Sequence, residues 1–281
     1  GFTAVTDLRI RYNQLTSLDL SNNTALELLD ISNNQLTSLD LSNNTALELL
    51  DISNNQLTSL DMSNNPALEK IYSNANQLTS LDVSNNPLLE ELWCNSNQLT
   101  TLDLSSNTSL VRLELGQNQL TSMDVSNNTV LDHIYLSENQ LTSMDVSSNT
   151  VLRLLYITFN ELTNLDVNNN TLLTTLYCNN NQLASLDVSN NTELVVLSCG
   201  YNELTSLDLS YNPTLLNLQC AYNGLSSLNL KGRHPSEYES IEAYENWSLE
   251  CVDVLDPDWA LDNWDGEDNF DRDVQFEFIC G

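Results

Sequence analysis

The sequence predicts a solenoid, a stack of short coils that each add one strand to a parallel sheet and return through extended or turn segments. Three observations predict it. Leu15 to Gln35 reads LTSLDLSNNTALELLDISNNQ, and Leu36 to Gln56 repeats all 21 residues unchanged. The register then continues through copies opening at Leu57, Leu78, Leu99, Leu120, Leu141, Leu162, Leu183 and Leu204, with no insertion or deletion before Gly224. Composition agrees: only 41% of the 281 residues are hydrophobic, and Asn, Ser and Thr dominate the polar remainder.

Residues 1–14 supply the second half of an earlier coil, because Val5, Leu8, Ile10 and Asn13 fall on the columns of Leu26, Leu29, Ile31 and Asn34. Residues 15–230 hold ten repeats and a partial one, and 231–281 read as a C-terminal cap. The start, Gly1 to Thr6, has neither the charged nor the apolar part of a signal peptide, so the chain reads as a mature or trimmed segment that begins in mid-coil. On that reading the natural chain continues upstream, and the first coil is exposed.

Each repeat contains L-x-x-L-x-L-x-x-N twice, as in Leu36, Leu39, Leu41, Asn44 and Leu47, Leu50, Ile52, Asn55. The last two apolar residues alternate with period two, which predicts a short strand at Leu50-Asp51-Ile52 with Leu50 and Ile52 inward. Six apolar side chains cannot offset the ordering entropy of 21 residues, so the coils must stack to fold. The two unbroken Asn columns suit this, since an inward amide can bond the backbone groups that a bend leaves free.

This pattern at a fixed short period resembles the leucine-rich repeat family. The 21-residue length, the phrase NQLTSLDLSNN and Cys in the strand core of some coils resemble bacterial surface versions, the internalins with a cysteine column and secreted proteins of the Bacteroidota. The resemblance implies a leucine-rich repeat solenoid with a parallel sheet on its concave face, and an extracellular or cell-surface location.

Cys94, Cys178, Cys199 and Cys220 share the core column of Ile31, and the last three lie on consecutive coils. Their Cα atoms should sit ~4.8 Å apart, yet parallel side chains bridge poorly, which predicts buried thiols. Cys251 and Cys280 lie beyond the regular repeats and read as a disulfide clamp on the cap, a feature similar to the closed terminal segments of the bacterial family. Leu249, Val252 and Val254 predict a last strand. Trp247, Trp259, Trp264, Phe270, Phe276 and Phe278 are the expected lid.

Thirty-nine acidic against eight basic residues give a net charge of −31, which disfavours nucleic acid and anionic membranes as partners, and no apolar run is long enough to span a bilayer. No cofactor is predicted. Two histidines, His133 and His234, come without a nucleophile motif, and seven glycines form no phosphate loop, so no enzyme is expected. Asp19, Asp40 and their equivalents to Asp208 form a carboxylate column, read as hydrogen-bonded to nearby N–H and hydroxyl groups, with weak cation binding as the alternative. The acidic run from Asp253 to Asp273 makes calcium a candidate ion, although Arg272 stands where an EF-hand loop around Asp265-Gly266 needs its bidentate Glu.

Variation concentrates on the outward strand column: Arg9, Asp30, Asp51, Tyr72, Trp93, Glu114, Tyr135, Tyr156, Tyr177, Ser198 and Gln219. Beside it lie Arg112, His133, Arg153 and Phe159. Aromatic and Arg side chains are the usual material of recognition hot spots, so these residues, from Tyr72 to Tyr177, are the expected ligand-binding stripe. Large polar aromatics that only shield sheet neighbours are the alternative. Two functions remain: an adhesin-like extracellular module that binds a protein or polysaccharide, or a structural spacer in a multidomain surface protein.

Overall fold

The computed structural model describes residues 5–264, 269–271 and 274–280. The chain forms two compact units, residues 1–141 and 142–281, each a parallel β-solenoid. In the first, strands Asp7–Arg9, Leu28–Asp30, Leu49–Asp51, Lys70–Tyr72, Glu91–Trp93, Arg112–Glu114 and His133–Tyr135 pair in order. Each step is 21 residues, so equivalent side chains lie side by side.

Each strand sits one residue earlier than the alternation predicts, at Leu49–Asp51 rather than Leu50 to Ile52. The inward pair is as expected: Leu50 and Ile52 are both 0% exposed. Ile52 has left the strand, but its N–H still donates to the Tyr72 carbonyl at 2.8 Å. Leu47, Leu36 and Leu41 complete the buried layer of this coil, and Leu8 and Ile10 of the first coil are only half-buried.

Asparagine closes both bends. In the strand-side column, Oδ1 of Asn34, Asn55, Asn76, Asn97, Asn118 and Asn139 accepts the N–H of Leu15, Leu36, Leu57, Leu78, Leu99 and Leu120, each at 3.0 Å. The amide nitrogen reaches back as well: Asn97 Nδ2 donates to the carbonyls of Ser73 at 3.0 Å and Cys94 at 3.2 Å. In the other column, Asn107 Nδ2 donates to the carbonyls of Val83 and Asn86, both at 2.9 Å. An amide thereby satisfies backbone groups that would otherwise be buried without partners.

In the second unit, Leu154–Tyr156, Thr175–Tyr177, Val196–Ser198, Asn217–Gln219 and Ser240–Glu242 form one parallel sheet. Ser206–Asp208, Ser227–Asn229, Cys251–Asp253 and Gln275–Glu277 form another. The strand at Cys251–Asp253 agrees with the L-x-x-L-x-L element read at Leu249, Val252 and Val254. The strand at Ser240–Glu242 was hidden by two extra residues in its coil. Ile241, Ala243 and Asn246 still take the core and ladder places of Leu218, Cys220 and Asn223, and Asn246 Oδ1 accepts the Leu225 N–H at 3.1 Å. The second sheet was also unforeseen, because its residues share the sequence of earlier coils, where the same column makes only an isolated parallel bridge, Asp145 to Asp166.

Cys251 and Cys280 are disulfide-bonded, and Cys94, Cys178, Cys199 and Cys220 are buried free thiols, as the sequence predicts. The helix Pro257–Asn263 starts at Asp256, whose Oδ1 accepts the Trp259 N–H at 3.0 Å. Trp264 packs against Phe270 and Phe276, with centroids 5.7 and 5.8 Å away. The expected lid is smaller than the sequence suggests: Trp247 is 80% and Phe278 64% exposed. Their apolar character gave no way to tell lid from surface.

Candidate functional site

The first and third residues of each strand point outward, flanking the buried middle one. In the first unit this brings Tyr72, Trp93, Glu114 and Tyr135 into one column and Lys70, Glu91, Arg112 and His133 into the next. Tyr72 and Trp93 lie 4.3 Å apart between centroids, tilted by 37°. The Arg112 guanidinium stands 4.9 Å from the Trp93 ring centre and 5.4 Å from that of Tyr135. It also pairs with Glu114 at 2.7 Å.

A second ion pair occupies the neighbouring strands. Lys70 donates to Glu91 at 2.6 Å, and the Tyr72 hydroxyl donates to the other Glu91 oxygen at 2.9 Å. Desolvation pushes the Glu91 carboxyl up, but the bonds from Lys70 and Tyr72 outweigh it and hold the group below its usual value. Burial, reinforced by the bond to Glu91, pushes the Tyr72 phenol far up, so it stays a neutral donor. His133 Nδ1 bonds the adjacent Asp132. Lys70 and Arg112 are thus spoken for by carboxylates of the same face, as Arg9 is by Asp7, while Glu27, Glu48 and Glu69 line a shallow hollow of about 420 Å³ with Asp7 and Lys70.

In the second unit, Tyr156 and Tyr177 stack at 4.2 Å and 23°. Arg153 is exposed on the residue before that strand. Phe159 does not join the strand column. It lies beyond the strand, 54% exposed, at φ 52°.

That left-handed position recurs once per coil, at Asn33, Asn54, Ala75 and onward to Tyr201, Tyr222 and Glu245. The sequence reading missed a set of aromatics built on it. Tyr201 and Tyr222 stack at 4.2 Å and 12°, and Tyr244 meets Tyr222 edge-on at 5.6 Å. A column count at this position, rather than on the strand alone, would have found the first two.

His234, Ser236 and Asp256 also come together in the tail. The Ser236 N–H donates to His234 Nδ1 at 3.2 Å, the Ser236 hydroxyl lies 2.8 Å from the same nitrogen, and Nε2 lies 3.3 Å from Asp256 Oδ2. The order resembles that of a hydrolase triad, yet each side chain serves a turn: His234 caps the 3-10 segment Pro235–Glu237, and Asp256 caps the helix.

The aspartate column behaves as the hydrogen-bonded reading requires. Asp40 Oδ1 accepts the Ser42 N–H at 3.0 Å, and equivalent bonds recur at Asp19, Asp61, Asp82, Asp103 and Asp145. The Ser hydroxyl and N–H together hold these carboxyls below their usual value, outweighing the repulsion of neighbouring aspartates where it is felt. Among the described residues no group of three His, Cys, Asp or Glu side chains is placed to hold a metal ion. Asp265, Gly266 and Arg272, where calcium was considered, lie outside the described residues. Among the described residues no helix is long and apolar enough to cross a membrane.

No family model and no curated protein matches the sequence. Solved structures do. The functional domain of InlJ from Listeria monocytogenes, which includes a cysteine ladder, is 34% identical with a TM-score of 0.81 over 90% of this chain and 58% of that one. An internalin, InlF, of the same species matches at 24% identity and TM-score 0.76, over 90% and 74% of the two chains. The ectodomain of the Arabidopsis thaliana receptor kinase GASSHO1/SCHENGEN3, in complex with CASPARIAN STRIP INTEGRITY FACTOR 2, matches at 25% and 0.72, over 83% and 33%. This chain therefore spans little more than half of the InlJ chain it resembles. Its period, its Asn columns and its parallel strands give it the fold of a leucine-rich repeat solenoid, similar to that of the cysteine-ladder, internalin-type structures.

Proposed function

We propose that the chain is a non-catalytic recognition module of a secreted or cell-surface protein, adhesin-like, and that it binds a protein partner on its outward strand face. The observation that carries this reading is the cluster of Trp93, Arg112 and Tyr135. Its rings and guanidinium are held by neighbours before any partner arrives, so little side-chain entropy remains to be lost on binding. Tyr72, Glu114 and His133 extend this surface in the first unit. Tyr156, Tyr177, Arg153 and Phe159 provide the equivalent material in the second.

The reading is consistent with the neighbours, since the plant ectodomain was solved with a bound factor. The charge pattern favours a polypeptide over an acidic glycan as the partner. Arg112 and Lys70 are neutralised by Glu114 and Glu91, so an acidic glycan finds no free cation among them.

The test is selection of peptide or protein ligands from a display library on the immobilised chain, followed by affinity measurement on the Trp93→Ala/Tyr135→Ala variant. A loss of about 100-fold with an unchanged circular dichroism spectrum supports the reading. Wild-type affinity would make the stripe plain sheet surface and favour the spacer, for which the two identical N-terminal repeats speak.

A further inference from the structure

The aromatics at the left-handed positions are placed at a cost. A tyrosine at φ near +55° is disfavoured relative to Asn, which several coils use at the same place. Tyr201 at φ 54° and Tyr222 at φ 56° are nevertheless 52% and 38% exposed, so core packing does not explain them. Every coil bends through this position whatever residue fills it, so what sets these two apart is the exposed ring that each carries there. Their rings stack, and the Tyr201 hydroxyl bonds that of Tyr222 and raises its phenol.

Past them the surface continues into a cavity of about 380 Å³ lined by Tyr244, Glu245, Asn246, Trp247, Phe270 and Asp271. Trp247 is 80% exposed at its rim. Asp271 is fixed there, because its two oxygens accept the N–H groups of Glu245 at 2.8 Å and Asn246 at 2.7 Å. Among the described residues, the charges close by are negative, and Lys231 and Arg233 are engaged elsewhere, with Asp253 at 2.8 Å and Glu237 at 3.2 Å.

We propose that Tyr201, Tyr222, Tyr244 and Trp247, with the carboxylates of Glu245 and Asp271, form a second binding site that takes an arginine- or lysine-bearing peptide segment. An aromatic face attracts a cation through its quadrupole, and a fixed carboxylate beside it adds direction. The occupant is argued from charge complementarity: the two carboxylates repel an anion, and they attract a cation by a Coulomb term that a neutral sugar lacks. This site is independent of the strand face, since it uses other residues of the coil.

The experiment is calorimetric titration of the full chain at 150 mM salt with acetyl-Gly-Arg-Gly-Arg-Gly-Arg-amide, its Glu counterpart and maltohexaose. The variant is Tyr201→Asn/Tyr222→Asn/Trp247→Ala, in which Asn adopts the conformation it already has at Asn33, Asn54 and Asn180. Net charge is unchanged, so non-specific attraction to an acidic protein stays the same in both. The expected result is that the arginine peptide binds the wild type and binds the variant at least about tenfold more weakly. An arginine peptide that does not bind, equal affinity for wild type and variant, or maltohexaose binding that the variant abolishes would overturn the proposal.

Discussion

Arg112 and Trp93 form a cation–π pair across adjacent strands, with the guanidinium 4.9 Å from the ring centre. Their strands are in register, so Arg112 stands opposite Glu91 and reaches sideways to Trp93, while Glu114 on its own strand holds it at 2.7 Å. Replacing Arg112 by Ala should therefore uncover one indole of four. We expect a red shift of the tryptophan emission, easier quenching by acrylamide, and a loss of about 1 kcal/mol in urea unfolding. An unchanged spectrum would show that Arg112 does not cover the ring in solution.

The four ladder cysteines should resist modification. Burial pushes the Cys94 thiol up to about 11 and the Cys199 thiol up to about 12, and all four side chains are 0% exposed. Native alkylation should modify none of them, and alkylation after denaturation without reductant should modify four. Reducing Cys251–Cys280, which closes a sequence separation of 29 residues, should cost about 3 to 4 kcal/mol on the chain-entropy model. Six alkylated cysteines without reductant would refute the pairing.

The two asparagine columns should differ in worth. Asn97 serves four backbone groups, the N–H of Leu78 and the carbonyls of Ser73, Cys94 and Asn95. Asn107 serves two carbonyls, and its own Oδ1 is buried with no hydrogen-bond partner. Asn97→Ala should cost about 3 kcal/mol and Asn107→Ala distinctly less, measured as the shift in urea midpoint. Equal costs would mean that both columns act mainly by filling space.

These ladders mark what was legible in the sequence. Period, core columns, Asn roles, thiol states and the disulfide all follow from position, because a stack places every 21st residue beside the last. Position says less about pairs formed within a face. Arg112 and Glu114 are two apart on one strand and so share a side, yet their union was missed while Arg112 was counted as free for a ligand. The coil of Ile241, Ala243 and Asn246 was lost because two inserted residues break the count without breaking the fold. Trp247 and Trp264 look alike in sequence, and only packing tells that one is surface and the other core.

The last prediction concerns acid. Ser42's hydroxyl and N–H hold the Asp40 carboxyl below its usual 3.8, and Asp19, Asp82, Asp103 and Asp145 share the arrangement. Because the folded value is depressed, the native state binds fewer protons than the unfolded one near that pH. The contribution is therefore present above the unfolded value and is lost as pH falls through the folded ones. Neutralising other carboxylates relieves the self-repulsion of a chain with net charge −31, an effect of opposite sign that begins at higher pH. The melting temperature should thus hold or rise slightly from pH 7 towards 5 and then fall below about 4. Ser42→Ala removes the larger of the two bonds and should move the Asp40 titration, followed by carbon NMR, upward towards 3.8 while Asp82 stays in place. If Asp40 titrates at the same pH in both proteins, the serine column does not set the carboxylate column, and the repulsion between neighbouring aspartates must be offset by something else.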